Sequence, residues 1–146
     1  MANTERGSVS GGCFCGAVRF TIELPTAFCV HCHCSMCRRL HGSGYVTWVG
    51  LPRTQLTIGV GEDELRRHAS SAHGSRAFCG RCGTSLFCEL AAQPDQIDIP
   101  LANLDGSIDR APEMHVFFSD RVAWASVDDE LPRLGGPTGV EPLERS

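Results

Sequence analysis

The most informative part of this sequence is residues 28–39, which read F-C-V-H-C-H-C-S-M-C-R-R. Four cysteines fall within nine positions of this stretch: Cys29, Cys32, Cys34 and Cys37. Cysteines this close along the chain rarely reach the Cα separation and Cβ directions of a disulfide, whereas a tetrahedral metal ion tolerates them. The last three form a C-x-C-x2-C pattern whose sulfurs converge. The stretch therefore predicts a zinc site.

Two further cysteine pairs also have the spacing of metal ligands. In G-G-C-F-C-G, Cys13 and Cys15 lie two positions apart, so on extended chain both side chains point the same way. In C-G-R-C-G, Cys79 and Cys82 form a knuckle whose glycines let backbone amides fold around thiolates, as in zinc ribbons. Together with the central stretch, these pairs predict two metal sites.

The seven clustered cysteines are one short of two complete tetrahedra. The natural partition is one closed four-thiolate site and one three-thiolate site with an open position, which catalysis at zinc requires. The alternative closes both sites by adding Cys29, because Cys29-x2-Cys32 has knuckle spacing, and both ions would then be structural. Cys29 and Cys88 each follow a phenylalanine, and we interpret both as small buried hydrophobic residues.

Charge indicates what an open three-thiolate site would do. Zn²⁺ with three thiolates carries one net negative charge, so it is a poorer Lewis acid than a three-histidine site. Capture of a soft fourth ligand such as a thiol is then favoured over generation of hydroxide. A coordinated thiol loses its proton and becomes a positioned nucleophile. Small aldehydes are the expected electrophiles.

Composition excludes several classes of function. All 13 basic residues among the 146 are arginines, and the net charge is −4, which argues against a nucleic-acid or anionic-membrane surface and removes lysine Schiff-base chemistry. No apolar run approaches the roughly 20 residues needed to span a bilayer, and the N-terminus carries no secretory signal. We expect a cytoplasmic protein, where nine cysteines favour metal ligation over disulfides.

Residue patterns predict a mainly β fold with at most two helical turns. A helical turn is expected over 35–40, a charged turn or marginal helix over 61–67, and a polar loop over 70–75. A mobile arm (1–9), one domain (10–133) and a loose tail (134–146) complete the predicted organisation. About eight short strands are expected, over residues 17–24, 27–30, 45–49, 55–60, 85–90, 97–101, 113–118 and 121–127.

Histidines and arginines around the cysteines have weaker predictions. His31 and His33 alternate with the cysteines, so either could replace a ligand. Strand alternation points both away from the cysteine face, however, and we expect a packing or supporting role for them. His115 lies in an apolar stretch and is interpreted as a satisfied core histidine. Arg38 and Arg39 are interpreted either as solvated charges or, beside an open metal site, as a bidentate holder of a substrate carboxylate. The remaining histidines are interpreted as surface or loop residues: His41, His68 and His73.

The motifs resemble those of the glutathione-dependent formaldehyde-activating (GFA, or CENP-V/GFA) family. The resemblance covers G-G-C-x-C-G-A-V-R-F at 11–20, C-H-C-S-x-C-R-R at 32–39 and F-C-x-x-C-G-T-x-L at 78–86. His115, Trp124 and the D-x-L-P at 129–132 add a weaker similarity. Phe14 stands where one common form of the first motif has histidine. Order and spacing agree over nearly the whole range 11–133.

This resemblance implies an Mss4-like fold of antiparallel sheets with two zinc ions per chain. It implies a structural zinc and a catalytic zinc that binds glutathione and a small aldehyde. The family reaction adds glutathione to formaldehyde to give S-(hydroxymethyl)glutathione, and its reverse is a carbon–sulfur lyase reaction. A zinc-stabilised binding module without catalytic activity is the rival prediction. The implied ligands are Cys13, Cys15, Cys79 and Cys82 for the structural zinc, and Cys32, Cys34 and Cys37 for the catalytic zinc.

Overall fold

The protein is mainly β in a computed structural model that describes residues 7–144, which confirms the predicted fold class. Within that range one α-helix forms, α1 (Ser35–His41), and no helix has the length and apolar character to cross a membrane. The strands, in chain order, are β1 (Gly7–Gly12), β2 (Arg19–Leu24), β3 (Phe28–Cys32), β4 (Val46–Pro52), β5 (Leu56–Val60), β6 (Leu65–Ser71), β7 (Gly74–Cys79), β8 (Ser85–Leu90), β9 (Gln96–Pro100), β10 (His115–Val116), β11 (Leu134–Gly135) and β12 (Glu141–Pro142).

The chain divides into two compact units, each assembled from two separate stretches of sequence. The first unit contains the described residues up to Phe28 together with Val49–Ala111. The second contains Cys29–Trp48 and the described residues from Pro112 onward. One domain over 10–133 stays a prediction. Residues 1–6 of the predicted arm lie outside the described residues, and residues 7–9 begin β1.

The first unit holds the main hydrophobic core. One antiparallel sheet of this unit has the spatial strand order β1-β2-β5. In a second sheet, the later half of β4 lies beside β9, and β8, β7 and β6 come next in that order. Alternation along β2 buries Phe20 and Ile22, and the Phe20 ring meets Phe87 edge-on at 5.4 Å. Each such buried side chain contributes about 1.5–3 kcal/mol. The predicted half-buried strand at 17–24 is therefore confirmed for Arg19–Leu24.

The prediction of a charged turn or marginal helix at 61–67 is wrong in its second half. Only Glu62–Glu64 makes a single 3-10 turn, and β6 begins at Leu65 and continues into the predicted loop. The strand lies at the edge of its sheet and pairs with β7 through backbone hydrogen bonds. Its exposed arginines and histidine hide the strand from pattern reading, and such charges commonly protect an edge from aggregation.

In the second unit, β10 pairs with β3 in parallel, so that His115 lies opposite His31. The predicted helix at 35–40 is confirmed by α1. Cys34 caps its start, since the Cys34 Sγ accepts a hydrogen bond from the Cys37 amide, and Gly42 ends it at a φ of 61°. Because β3 leads directly into α1, three cysteines gather at this junction.

Two predicted strands in the second unit do not form as expected. Of residues 113–118, only His115 and Val116 pair as strand. Residues 121–127, predicted as strand, contain a turn in which Ala125 donates to the Val122 carbonyl and Trp124 is 73% exposed. β propensity depends on packing against neighbouring strands, and these residues belong to none of the described strands.

Phe117 connects β10 to the C-terminal residues. It adopts a positive φ of 52°, and its amide donates to the Gly139 carbonyl at 2.8 Å. Gly139 has a φ of 81°, and a Cβ there would lie 2.4 Å from the Phe117 ring. Only glycine fits this position, and the short pair β11–β12 lies within the predicted loose tail.

The Asp98 side chain offers a test of the strand pairing among β7, β8 and β9 in the first unit. Asp98 on β9 lies opposite Cys88 on β8, which in turn lies opposite Arg76 on β7. Burial raises the pKa of Asp98 to about 6, although Gln96 and Arg76 both act to lower it. The folded state therefore binds this proton more tightly than the unfolded state, and wild-type stability falls as pH rises towards and past about 6.

Replacing this carboxyl should remove the penalty of ionisation. Asp98→Asn is expected to raise the free energy of unfolding by about 2–3 kcal/mol near pH 8, with the gain vanishing near pH 4. Urea unfolding at several pH values measures the gain near pH 8 and its disappearance near pH 4. Asp95→Asn, at an exposed carboxylate, is the control and should change little. A gain for Asp98→Asn that is equal at both ends of the pH range would contradict the assigned burial.

Candidate metal centres

The first centre gathers four cysteines from two distant parts of the first unit. The sulfurs of Cys13, Cys15, Cys79 and Cys82 all lie within 4.8 Å of one another. The Cys13 and Cys15 sulfurs are 3.7 Å apart, and those of Cys15 and Cys79 are 3.9 Å apart. A tetrahedral ion with Zn–S bonds of about 2.3 Å requires sulfur separations of about 3.8 Å. The spacing thus fits a zinc ion.

Hydrogen-bond donors surround these sulfurs, as thiolates require. Hydrogen bonds from the Thr84 side chain and backbone lower the pKa of Cys82 to about 5. Gly16 and Gly83 each turn the backbone at a φ of 82°, and the C-G-x-C-G motif predicts such a turn at Gly83. The contacts are Val18 N to Cys13 Sγ at 3.2 Å, Arg81 N to Cys79 Sγ at 3.4 Å and Thr84 Oγ1 to Cys82 Sγ at 3.2 Å.

The second centre gathers three buried cysteines in the second unit. Cys32 ends β3, Cys34 caps α1, and Cys37 lies in the first turn of α1. Their sulfurs lie within 4.8 Å of one another, and those of Cys32 and Cys37 are 3.6 Å apart. Within residues 7–144, no further cysteine, histidine or carboxylate completes this group at the same spacing. Among the described residues, the group therefore offers an ion three sulfurs and no fourth His, Cys, Asp or Glu ligand.

The electrostatics of this centre favour a cation. The neighbouring sulfurs of Cys34 and Cys37, followed by burial, raise the pKa of Cys32 above its ordinary value. Three adjacent buried thiols cannot all ionise without a positive charge among them. A bound divalent ion supplies that charge, so the chemistry of the donors fits the predicted zinc.

An aromatic side chain contacts one of the three thiols, and two arginines follow Cys37 on α1. The indole N–H of Trp48 donates to Cys37 Sγ at 3.4 Å, and the His41 ring meets Trp48 edge-on. Arg38 is half-buried and donates from Nε to the His33 carbonyl, whereas Arg39 is exposed. Trp48 carries no ligand-like spacing, so the sequence does not indicate its contact with Cys37, and His41 was predicted to be a surface or loop residue.

Cys29 lies outside both thiol clusters, and its side chain is fully buried, as is expected of a small core residue. Cys29→Ala is therefore expected to leave the metal content per chain unchanged. Inductively coupled plasma mass spectrometry of the purified variant measures this, with Cys88→Ala as the matched control because Cys88 is also a buried strand cysteine. Loss of one metal from Cys29→Ala alone would support the alternative in which Cys29 closes the second centre.

A third polar cluster lies in the second unit, around His115. The Nε2 of His115 lies 3.1 and 3.0 Å from the two carboxylate oxygens of Asp129, and its Nδ1 lies 2.9 Å from His33 Nε2. Because the carboxylate only accepts, His115 carries its proton on Nε2 and accepts at Nδ1 from His33. The Nδ1 of His33 is buried and has no hydrogen-bond partner among the described residues.

Burial lowers the pKa values of two histidines in this cluster. It lowers the pKa of His33 to about 4, and the neighbouring His115 and His31 lower it further. Burial and then His115 also lower the pKa of His31. Burial alone would raise the pKa of Asp129, but hydrogen bonds from His115 and the Leu131 amide bring it below its ordinary value. Burial thus favours the neutral forms of His31 and His33, and hydrogen bonds favour the ionised form of Asp129.

Comparisons with known proteins agree with these motifs. The glutathione-dependent formaldehyde-activating enzyme family matches residues 8–120. A Halomonas elongata protein named "Putative glutathione-dependent formaldehyde-activating enzyme" is 26% identical over 127 residues, covering 82% of this chain and 81% of that protein. A Schizosaccharomyces pombe protein named an uncharacterized lyase is 34% identical over 80 residues, covering 53% of this chain and about half, 54%, of that protein.

A solved structure is also similar to this chain. The crystal structure of a Rhodobacter sphaeroides protein matches with a TM-score of 0.58 and 27% identity, over 69% of this chain and 92% of that one. The resemblance drawn from the three cysteine motifs is confirmed, because the family match includes all seven clustered cysteines. The chain belongs to the glutathione-dependent formaldehyde-activating (GFA) enzyme family.

Proposed function

We propose that this protein is a zinc enzyme that adds a small thiol, glutathione, to formaldehyde or another small aldehyde. The observation that carries the proposal is the unequal pair of cysteine clusters, four sulfurs in one and three in the other. A protein that used zinc only as a scaffold would be served by two complete four-ligand sites. Family membership supports the same reaction, since the family is described by its dependence on glutathione and its activation of formaldehyde.

The two clusters have different roles in this proposal. Cys13, Cys15, Cys79 and Cys82 hold a structural zinc that joins two segments of the first unit. Cys32, Cys34 and Cys37 hold the catalytic zinc and lie at the start of α1. When bound there, zinc supplies a Lewis-acidic position at which a substrate thiol loses its proton.

The neighbouring residues tune and shape this position. Trp48 donates its indole N–H to Cys37 Sγ, which withdraws charge from that sulfur and fixes its direction. Arg39 is exposed and available for a carboxylate of glutathione, with a planar fork of donors suited to bidentate contact. Arg38 uses its Nε for the His33 carbonyl, which leaves its terminal nitrogens for the second carboxylate.

The reaction itself is a balanced addition. The sulfur of glutathione attacks the aldehyde carbon, and a carbon–sulfur bond forms as the carbonyl π bond breaks. The electron pair moves to oxygen, which takes up one proton, so the proton lost by the thiol is recovered in the product alcohol. No oxidant or reductant is needed. In reverse, the same positions catalyse carbon–sulfur cleavage.

Cobalt spectroscopy tests this proposal directly. The protein is prepared with cobalt in both cysteine clusters, and absorption spectra are recorded with and without glutathione. Glutathione is expected to change the sulfur-to-cobalt charge-transfer bands of one of the two cobalt ions. Adduct formation from formaldehyde is then followed by NMR against the uncatalysed rate.

The result distinguishes enzyme from scaffold. Two cobalt ions whose spectra ignore every small thiol, with no acceleration of adduct formation, would overturn the proposal. That outcome would instead support a zinc-stabilised binding module, the second function that the sequence predicts. S-methylglutathione is the matched control ligand because it keeps both carboxylates and lacks the ionisable thiol.

A further inference from the structure

The cluster around His115 has the composition of a metal site as well as that of a hydrogen-bond network. One ligand atom from each of His31, His115 and Asp129 lies within 4.8 Å of the other two. The His115 Nε2 to carboxylate distances of 3.0 and 3.1 Å are close to the roughly 3.3 Å between ligands of a tetrahedral ion with 2.0–2.1 Å bonds. An ion could therefore replace the shared proton with little movement of the side chains.

The Nδ1 atoms of His31 and His115 each have a neighbouring hydrogen-bond partner. His31 Nδ1 lies 2.8 Å from Thr47 Oγ1, so Nε2 is the ring nitrogen that we assign to the ion. His115 Nδ1 lies 2.9 Å from His33 Nε2. Histidines that bind metals usually have their second ring nitrogen fixed in this way. Rings of Tyr45 and Phe118 pack against these imidazoles and restrict their rotation.

The Asp129 carboxylate is held by neighbouring groups and is accessible to solvent. The Leu131 amide donates to Asp129 Oδ1 at 3.0 Å, and Arg133 lies 3.5 Å from the same oxygen. The guanidinium weakens the attraction of Asp129 for a cation, but it contacts Oδ1, and Oδ2 lies 3.0 Å from His115 Nε2. The Asp129 side chain is 41% exposed, so solvent ions reach it and further coordination positions are open.

We propose that His31, His115 and Asp129 form a third metal site, which binds a divalent first-row transition ion through two imidazole nitrogens and one carboxylate oxygen. This site lies apart from the thiol cluster of the same unit, because alternation along β3 points His31 away from the side of Cys32. Nitrogen and oxygen donors bind such ions less tightly than clustered thiolates bind zinc. The site therefore exchanges with ions in solution, independently of the proposed thiol chemistry.

Cobalt binding to the zinc-loaded protein tests this site. Protein with zinc in its thiol clusters is washed with a weak chelator and dialysed against a series of buffered free Co²⁺ concentrations. Bound cobalt and zinc are counted by mass spectrometry, and the absorption spectrum is recorded. One cobalt per chain is expected, with weak d–d bands and no sulfur-to-cobalt charge transfer, because zinc outcompetes cobalt at the thiolates.

Variants identify the ligands. Asp129→Asn keeps an oxygen for the Leu131 amide and is expected to weaken cobalt binding by at least about tenfold. Asp128→Asn removes the neighbouring, exposed carboxylate and should bind cobalt as wild type does. Thr47→Val, which frees the His31 ring, should weaken binding by about 10–100-fold. Retained zinc content shows that each variant is folded.

Two results would overturn the proposal. One is that wild-type protein binds no cobalt before zinc is displaced, and the other is that Asp129→Asn and Thr47→Val both bind it as wild type does. Failure of the thiol chemistry gives a different pattern. Cys37→Ser removes a thiol ligand but should keep the cobalt that depends on Asp129.

Discussion

Cys79→Ser is expected to unfold the first unit and to release one metal ion per chain. The Cys79 side chain is fully buried, and its sulfur lies 3.9 Å from Cys15 Sγ, a contact between residues 64 positions apart. Structural zinc contributes about 10–16 kcal/mol in small domains, which is comparable to the whole net stability of about 5–15 kcal/mol. Circular dichroism during urea or thermal unfolding, together with metal analysis, measures both effects.

The matched control for this variant is Cys88→Ser. Cys88 is also buried in a strand of the first unit, 7% exposed, but lies outside both thiol clusters. Burying its hydroxyl should cost about 1–3 kcal/mol and leave the metal count unchanged. Similar losses of stability in the two variants would mean that the first centre holds no structural ion.

Cys37→Ser is expected to keep the fold while removing metal and thiol binding at the second centre. The hydrophobic core lies in the first unit, and α1 keeps both of its caps, the Cys34 sulfur and Gly42. Serine has nearly the same size as cysteine but is a poor ligand for a soft site. We expect affinity for glutathione to fall by more than about 100-fold, beyond the effect of losing a supporting residue.

Titration calorimetry with glutathione and metal analysis measure this change. Met36→Ala is the control, because Met36 is the neighbouring residue on α1 and is 41% exposed. It should keep two metals and bind glutathione as wild type does. If Cys37→Ser lost as much structure as Cys79→Ser, the division into a structural and a catalytic centre would be wrong.

Local features of the fold were predictable from the sequence. Alternating apolar residues predicted β2, and the spacing of the cysteines predicted two metal sites, whereas the assignment of cysteines to each site came from the family resemblance. The helix at 35–40 was predicted from its place after the cysteines, and its length follows from the caps at Cys34 and Gly42. The alternation and the helix caps involve residues that are close together in the sequence, so a local pattern detects them.

Long-range features were not predictable. β6 exists because β7 pairs with it, and its own charged residues give no alternation. The contact of His115 with Asp129, and of His31 with Thr47, depends on how β3, β4 and β10 lie side by side. No spacing in the sequence reports those contacts. The prediction that His115 is a satisfied core histidine agrees with its burial and with its contacts to His33 and Asp129.

The contact between Phe117 and Gly139 bears on where a shortened form of this protein should end. A chain that stopped after Arg133, at the predicted domain end, would lose the carbonyl that accepts the Phe117 amide and the backbone that covers its ring. Phe117 would then keep a backbone conformation at a φ of 52° without the contacts that stabilise it. Expression trials that trim the C-terminus should therefore retain the residues through β12.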